Sequence, residues 1–307
     1  MRIKNIKFFV LCFLLSYNMM QGQQESQFTQ YMYNTMSMNP GYTGTTGVMT
    51  MFGIYRAQWV GLDGAPRTMA FSAHSPIGKK GNGIGLSIIS DEIGPSKETY
   101  VDANYAYNVP LSYNVNLSLG LRAGMNFLNI DYDKLNKFDP GDSQLEGTLS
   151  RTAPTIGAGA YVYSDKWYVG LSVPSILETK YYDDIEQSVA SSRMHIYMMG
   201  GYVFDLDDQL KFKPAVLLKA VNGAPLSLDV SANFLFQEKL TLGMAYRLNA
   251  AVSTLAAFSI SDALQIGYAY DHDMNNLSRY NSGSHEIFLR YDLFDLSKKK
   301  IQAPRFF

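Results

Sequence analysis

Thr99-Tyr100-Val101-Asp102-Ala103-Asn104-Tyr105-Ala106-Tyr107-Asn108, followed after Pro110 to Asn114 by Val115-Asn116-Leu117-Ser118-Leu119-Gly120-Leu121-Arg122-Ala123-Gly124-Met125-Asn126-Phe127, is the stretch that decides the fold. In the first run Thr99, Val101, Ala103, Tyr105 and Tyr107 alternate with Tyr100, Asp102, Asn104, Ala106 and Asn108. In the second, an apolar series from Val115 to Phe127 alternates with Asn116, Ser118, Gly120, Arg122, Gly124 and Asn126. The period is two, not 3.6, so each run is a strand with two unlike faces. A turn between two such runs predicts one long antiparallel hairpin.

The same alternation continues on both sides. Phe212, Pro214, Val216 and Leu218 alternate with lysines and Ala215, and Leu226, Leu228, Val230, Ala232, Phe234 and Phe236 alternate with Ser227, Asp229, Ser231 and Asn233. Reading all such runs gives fourteen strands, at about residues 47–59, 67–76, 82–91, 97–109, 115–129, 155–164, 166–174, 192–205, 210–221, 225–236, 239–249, 251–260, 264–274 and 284–294. The count is even, as in single-chain bacterial outer-membrane barrels. The long connections, at about 130–154, 174–191 and 274–284, all follow odd-numbered strands, and tight turns follow strands six, eight, ten and twelve. Long loops on one side and short turns on the other predict extracellular loops opposite periplasmic turns, with both chain ends in the periplasm.

A soluble β-sandwich also alternates, so composition must help decide. The 307 residues are 47% hydrophobic and only 17% charged, where soluble domains carry roughly 25% charge. The strands run about 10 to 13 residues against a globular mode of about 5 to 6. The less apolar face is rich in Gly, Ser and Asn, and Tyr recurs near strand ends. These features favour an all-β transmembrane antiparallel barrel over residues 45–295. Fourteen strands enclose more than side chains alone fill and less than a 16-stranded porin, which predicts a narrow or partly plugged lumen.

Arg2, Lys4 and Lys7 precede the apolar run Phe8 to Leu15, with polar residues and Gly22 beyond. This is the layout of a signal peptide over residues 1–22; eight apolar residues are too few for a hydrocarbon core that needs about 20. Cys12, the single cysteine, lies inside this run, so the processed chain has no disulfide to form. The net charge of -1 leaves no basic face for phosphates, which argues against nucleic acid as a partner. Residues 23–44 are aromatic, polar and too irregular for a strand, which predicts either a plug in the barrel mouth or a periplasmic docking surface. The tail at 296–307, with Lys298, Lys299 and Lys300, predicts a basic periplasmic end.

Several charges fall on predicted inward positions: Asp102, Arg122, Lys211, Lys213, Lys219, Asp229, Arg247, Glu286, Arg290 and Asp292. Opposite charges on neighbouring strands are expected to pair, Asp102 with Arg122, and Asp229 with both Lys219 and Arg247, since an isolated charge in a semi-dry interior is costly. Enzyme motifs are weak. Gly81, Gly83 and Gly85 form a G-x-G-x-G run with no following helix, none of the four histidines stands in an H-E-x-x-H pattern, and none precedes a serine at the H-x-S spacing. His272 and His285 across the last long loop, and the loop acids Asp131, Asp133, Asp139 and Asp142, are better read as interfacial and solvated residues than as metal ligands. No cofactor and no enzymatic activity are expected.

A set of local sequences resembles the PorP/SprF family of the type IX secretion system of Bacteroidota, along nearly the whole mature chain. It includes Gln27-Phe28-Thr29-Gln30-Tyr31-Met32-Tyr33-Asn34, Asn39-Pro40-Gly41-Tyr42-Thr43-Gly44, Tyr55-Arg56-Ala57-Gln58-Trp59-Val60-Gly61, Gly170-Leu171-Ser172-Val173-Pro174, Leu218-Lys219-Ala220-Val221-Asn222-Gly223-Ala224-Pro225 and Pro304-Arg305-Phe306-Phe307. Gly41 and Thr43 stand where the family commonly has alanines. The resemblance implies an outer-membrane barrel that assists secretion and surface attachment of large adhesins or gliding proteins bearing a C-terminal secretion domain. It also implies contact with periplasmic parts of the machinery. On this reading Gln27, Phe28, Tyr31, Tyr33, Asn39, Pro40 and the three tail lysines are candidate docking residues; the alternative function is a general porin or small-solute transporter.

Overall fold

The structure is a computed structural model that describes residues 28–78, 81–135, 147–177 and 194–293. The expected signal peptide, Gln27, Asp139, Asp142 and the tail lysines lie outside the described residues.

The strands are β1 (Met49–Ala57), β2 (Arg67–Ile77), β3 (Asn82–Ile93), β4 (Ser96–Pro110), β5 (Asn116–Asp131), β6 (Thr148–Tyr163), β7 (Trp167–Val173), β8 (His195–Tyr202), β9 (Phe204–Asp205), β10 (Leu210–Val221), β11 (Ser227–Phe236), β12 (Leu240–Arg247), β13 (Ala251–Ser259), β14 (Leu264–Asp273) and β15 (Ser284–Leu293). β9 continues β8 past Val203 along the same neighbour, β10, so the wall has fourteen staves. Each stave pairs antiparallel with its neighbour in sequence, and β15 pairs with β1 along nine residues from Met49↔Leu293 to Ala57↔His285. The sheet is thereby a closed barrel, and no stave is left without a neighbour on either side.

The two faces follow the alternation in the sequence. On β5, Leu119, Leu121, Met125 and Phe127 are exposed while Ser118, Gly120, Arg122 and Asn126 point inward. The outward apolar series from Leu117 to Phe127, at roughly 3.4 Å per residue and a tilt of about 40°, spans about 25 Å, the height of an outer-membrane apolar band. Among the described residues no helix is long and apolar enough to cross a membrane.

One boundary departs from the expectation. β6 begins at Thr148, seven residues before the expected 155, and pairs with β5 up to Asp131. Outward-facing Ser150, Thr152 and Pro154 are polar or unable to donate, so no apolar alternation marks this part of the strand. It projects past the lipid band, where nothing requires an apolar outer face. Strand pairing with β7 starts only at Ala158↔Val173, which leaves Pro154 free of a ladder bond on that side.

Candidate functional site

The lumen is occupied by the chain's own N-terminal segment. Residues 28–43 are almost uniformly buried, and they run the barrel lengthwise. Thr29 lies beside Asp271 and Glu286, near the ends of β14 and β15 that adjoin the long 274–283 connection. Gly44 lies beside His74 and Gly83, toward the end of β2 and β3 that carries the short turn between them. Between these points the segment forms one helical turn, α1 (Thr35–Met38), and a 3-10 turn at Pro40–Tyr42. An even number of staves puts the start of β1 and the end of β15 at one mouth. The plug carries the first described residue, Phe28, to the other, so its end does not share the mouth at which the wall begins.

An irregular segment inside a barrel has backbone groups that must find partners. The wall supplies them at three levels. At the long-loop end Glu286 accepts the Thr29 and Gln30 N–H groups at 3.0 and 2.8 Å. Arg56 from β1 sits between two carboxylates, Nη2 to Asp271 at 2.7 Å and Nη1 to Glu286 at 2.8 Å, and the Thr29 hydroxyl donates to Asp271 at 2.7 Å. All these side chains are buried, and both terminal guanidinium nitrogens of Arg56 engage the carboxylates, the pairing under which buried ions are tolerated. At mid-height Arg122 donates to the Met36 carbonyl at 2.6 Å, the Ser37 carbonyl at 2.9 Å and Asn104 at 3.0 Å, filling the open end of α1. Lower down, Ser172 donates to the Met38 carbonyl, and Asn39 donates to the Ala160 carbonyl while accepting the Gly41 N–H.

Space for the plug comes from glycine. A Cβ on Gly120 would overlap the backbone of Pro40 and Gly41, and one on Gly83 would overlap Thr43. Rings fill what remains: Tyr33 stacks on Phe288 at 4.6 Å, and Tyr42 meets Tyr161 edge-on at 5.5 Å.

These contacts place the expected site residues. Phe28, Tyr31, Tyr33, Asn39 and Pro40 are all buried in the lumen, against the wall. Asp229 and Arg247 stand directly opposite in the β11–β12 register and pair at 2.8 Å. Lys219 sits opposite Ser227, a diagonal step from Asp229, and its charge acts on that carboxylate. The expected Asp102–Arg122 pair does not form: register sets Asp102 opposite Gly124 and Arg122 opposite Asn104, and Arg122 turns to the plug. The Arg56–Asp271–Glu286 cluster was not foreseen, because it gains its sense only from the plug it holds. A signal for that plug was present in the inner-face glycines Gly83, Gly120 and Gly159, a volume deficit on one side of the lumen. The outer-face His285 bonds Tyr268 at 2.6 Å, and no group of three or more metal-ligating side chains occurs among the described residues.

The family described as "Type IX secretion system membrane protein PorP/SprF" matches residues 20–291. No curated protein matches the chain. Among solved structures, the Ralstonia pickettii toluene transporter TbuX is similar at 9% identity and a TM-score of 0.51, covering 84% of this chain and 92% of its own. The CymD monoaromatic hydrocarbon channel is similar at 10% identity and a TM-score of 0.51, covering 85% and 93%. The Acinetobacter baumannii outer membrane protein Omp33 follows at 11% identity and 0.47, covering 80% and 100%. At such identities the likeness is one of fold alone.

Proposed function

Because the chain belongs to the PorP/SprF family of type IX secretion system membrane proteins, we propose that it serves that system as an accessory for one or a few large adhesin-type cargos. It works by binding in the outer membrane, not by chemistry or conduction. The observation that carries this reading is the plug. Residues 28–44 fill the lumen lengthwise and are tied to the wall at both ends, which argues against a free solute path, and a fourteen-stranded barrel is in any case too narrow for a folded adhesin. With Phe28, Tyr31, Tyr33, Asn39 and Pro40 committed to the lumen, the basic tail at Lys298, Lys299 and Lys300 becomes the leading candidate for docking periplasmic components.

Deleting the gene should leave one or a few large adhesins trapped or unattached while other type IX cargo reaches the surface, and truncating residues 298–307 should weaken recovery of periplasmic partners in pull-downs. Normal display of every such cargo in the deletion strain would refute the role. Large steady conductance of the purified protein in planar bilayers would favour the porin alternative.

A further inference from the structure

The wall closes where its first and last staves meet. Every other pair of neighbouring staves is consecutive in sequence, whereas β1 and β15 come from the two ends of the barrel. Their pairing therefore carries the largest loop-closure entropy in the wall.

The inward side chains of β15 are engaged, one after another, by the N-terminal part of the chain. Ser284 accepts the Trp59 N–H at 3.1 Å. Glu286 accepts Arg56 Nη1 from β1 at 2.8 Å together with the Thr29 and Gln30 N–H groups of the plug. Phe288 lies between Phe52 of β1, at 5.3 Å, and Tyr33 of the plug, at 4.6 Å. Arg290 faces the Tyr42 hydroxyl, and Asp292 accepts the Thr50 hydroxyl at 2.7 Å. At Glu286 the plug touches both staves at once, since Arg56 also donates to the Thr29 hydroxyl at 3.1 Å.

Charge explains why the plug is needed there. Arg56 is shared by two buried carboxylates, Asp271 and Glu286, and one guanidinium does not balance both. The plug adds donors, two amides on Glu286 and the Thr29 hydroxyl on Asp271. Without them two desolvated carboxylates would face a single cation, which is costly. Chain order adds a second reason. The plug directly precedes β1, so the two form one local unit, and β15 meets in it a strand edge, the donors to Glu286 and a ring for Phe288 in one long-range encounter.

We propose that residues 28–33, the end of the plug at the long-loop mouth, are an inner strut of the β1–β15 seam. They belong to the closure of the wall and are not a gate that leaves the lumen. When their contacts are removed, the seam is the part of the wall that weakens.

The test uses the full-length chain in detergent micelles and the temperature of its heat-modifiable gel transition. Thr29→Pro with Gln30→Pro removes both N–H donors to Glu286, and Tyr33→Ala removes the ring on Phe288. This triple variant should unfold about 5 °C or more below the unaltered chain, the scale of a few lost buried contacts. Gly53→Cys with Leu289→Cys places a disulfide across the seam, between outward register partners and at a glycine with open space around it; facing residues of paired strands lie within bridging distance. Leu119→Cys with Ala160→Cys places a bridge of the same kind between β5 and β6. The seam bridge should raise the transition of the triple variant by more than it raises that of the unaltered chain, because it supplies the closure that the strut no longer gives. The β5–β6 bridge should raise both equally. A triple variant that keeps the unaltered transition temperature overturns the assignment, as does a seam bridge with the same gain in both backgrounds. If the triple variant does not fold, recovery of heat-modifiable migration by the seam bridge alone supports the strut, and recovery by both bridges or by neither overturns it.

Discussion

Asp229 illustrates how register, more than proximity in the sequence pattern, sets the meaning of a buried charge. It lies directly opposite Arg247 with 2.8 Å between carboxylate and guanidinium, their side chains 5% and 16% exposed. Removing one partner leaves the other desolvated without compensation, on the order of 3 kcal/mol for a buried pair. Asp229→Ala should therefore lower the temperature of the heat-modifiable transition on gels. The double variant Asp229→Leu with Arg247→Met, which removes both charges, should recover part of that loss, whereas adding Lys219→Met to Asp229→Leu should recover less, because Lys219 stands a diagonal step away. Equal recovery in the two doubles would show that the three charges act as one network. The same geometry explains why inward charges were legible in the sequence while their partners were not. Parity tells which face a residue occupies, but a shift of two residues along a ladder, as between Asp102 and Arg122, keeps the face and loses the contact.

At the scale of elements, staves such as β4 and β5 were legible because lipid on one side and a polar lumen on the other force alternation, whereas β1, with Phe52 and Ile54 packed inward against the plug, shows it less clearly. Where that force ends, so does the signal: the upper part of β6, with outward Ser150, Thr152 and Pro154, reads as loop although it is paired with β5. The plug was legible as one of two readings, plug or docking surface, of a segment too irregular for a strand. Its path could not be read, since it is fixed by tertiary contacts such as Arg122 on the Met36 and Ser37 carbonyls and Glu286 on the Thr29 and Gln30 amides. The glycine contact gives this element its sharpest test. Gly120→Val puts a branched side chain where the Pro40 and Gly41 backbone lies, an overpacking that typically costs about 1–3 kcal/mol. It should loosen the plug more than the wall, so the purified variant should show ion conductance above that of the unaltered protein while keeping a folded, heat-modifiable barrel. Gly53→Ala, at a glycine on β1 where an added methyl group would have nothing within 4 Å, should change neither property. Conductance unchanged in a folded Gly120→Val protein would mean that the plug does not seal the lumen.

For the whole molecule, the unequal lengths of the connections at the two mouths predict an orientation. One mouth carries the connections after β5, β7 and β14, together with the 58–66 segment whose Val60 exchanges backbone hydrogen bonds with Ser282 and Gly283. The other carries the short links 164–166, 206–209, 237–239 and 260–263. Outer-membrane barrels set long loops outside the cell and short turns in the periplasm. An epitope placed in the exposed 3-10 turn Asn276–Arg279 should therefore be reached by antibody and by protease on intact cells. An epitope at Asp207, in the link between β9 and β10, should be reached only after the outer membrane is permeabilised. Labelling of Asp207 on intact cells would invert the barrel, place the wall's start and end outside, and remove the periplasmic position on which docking through the basic tail depends.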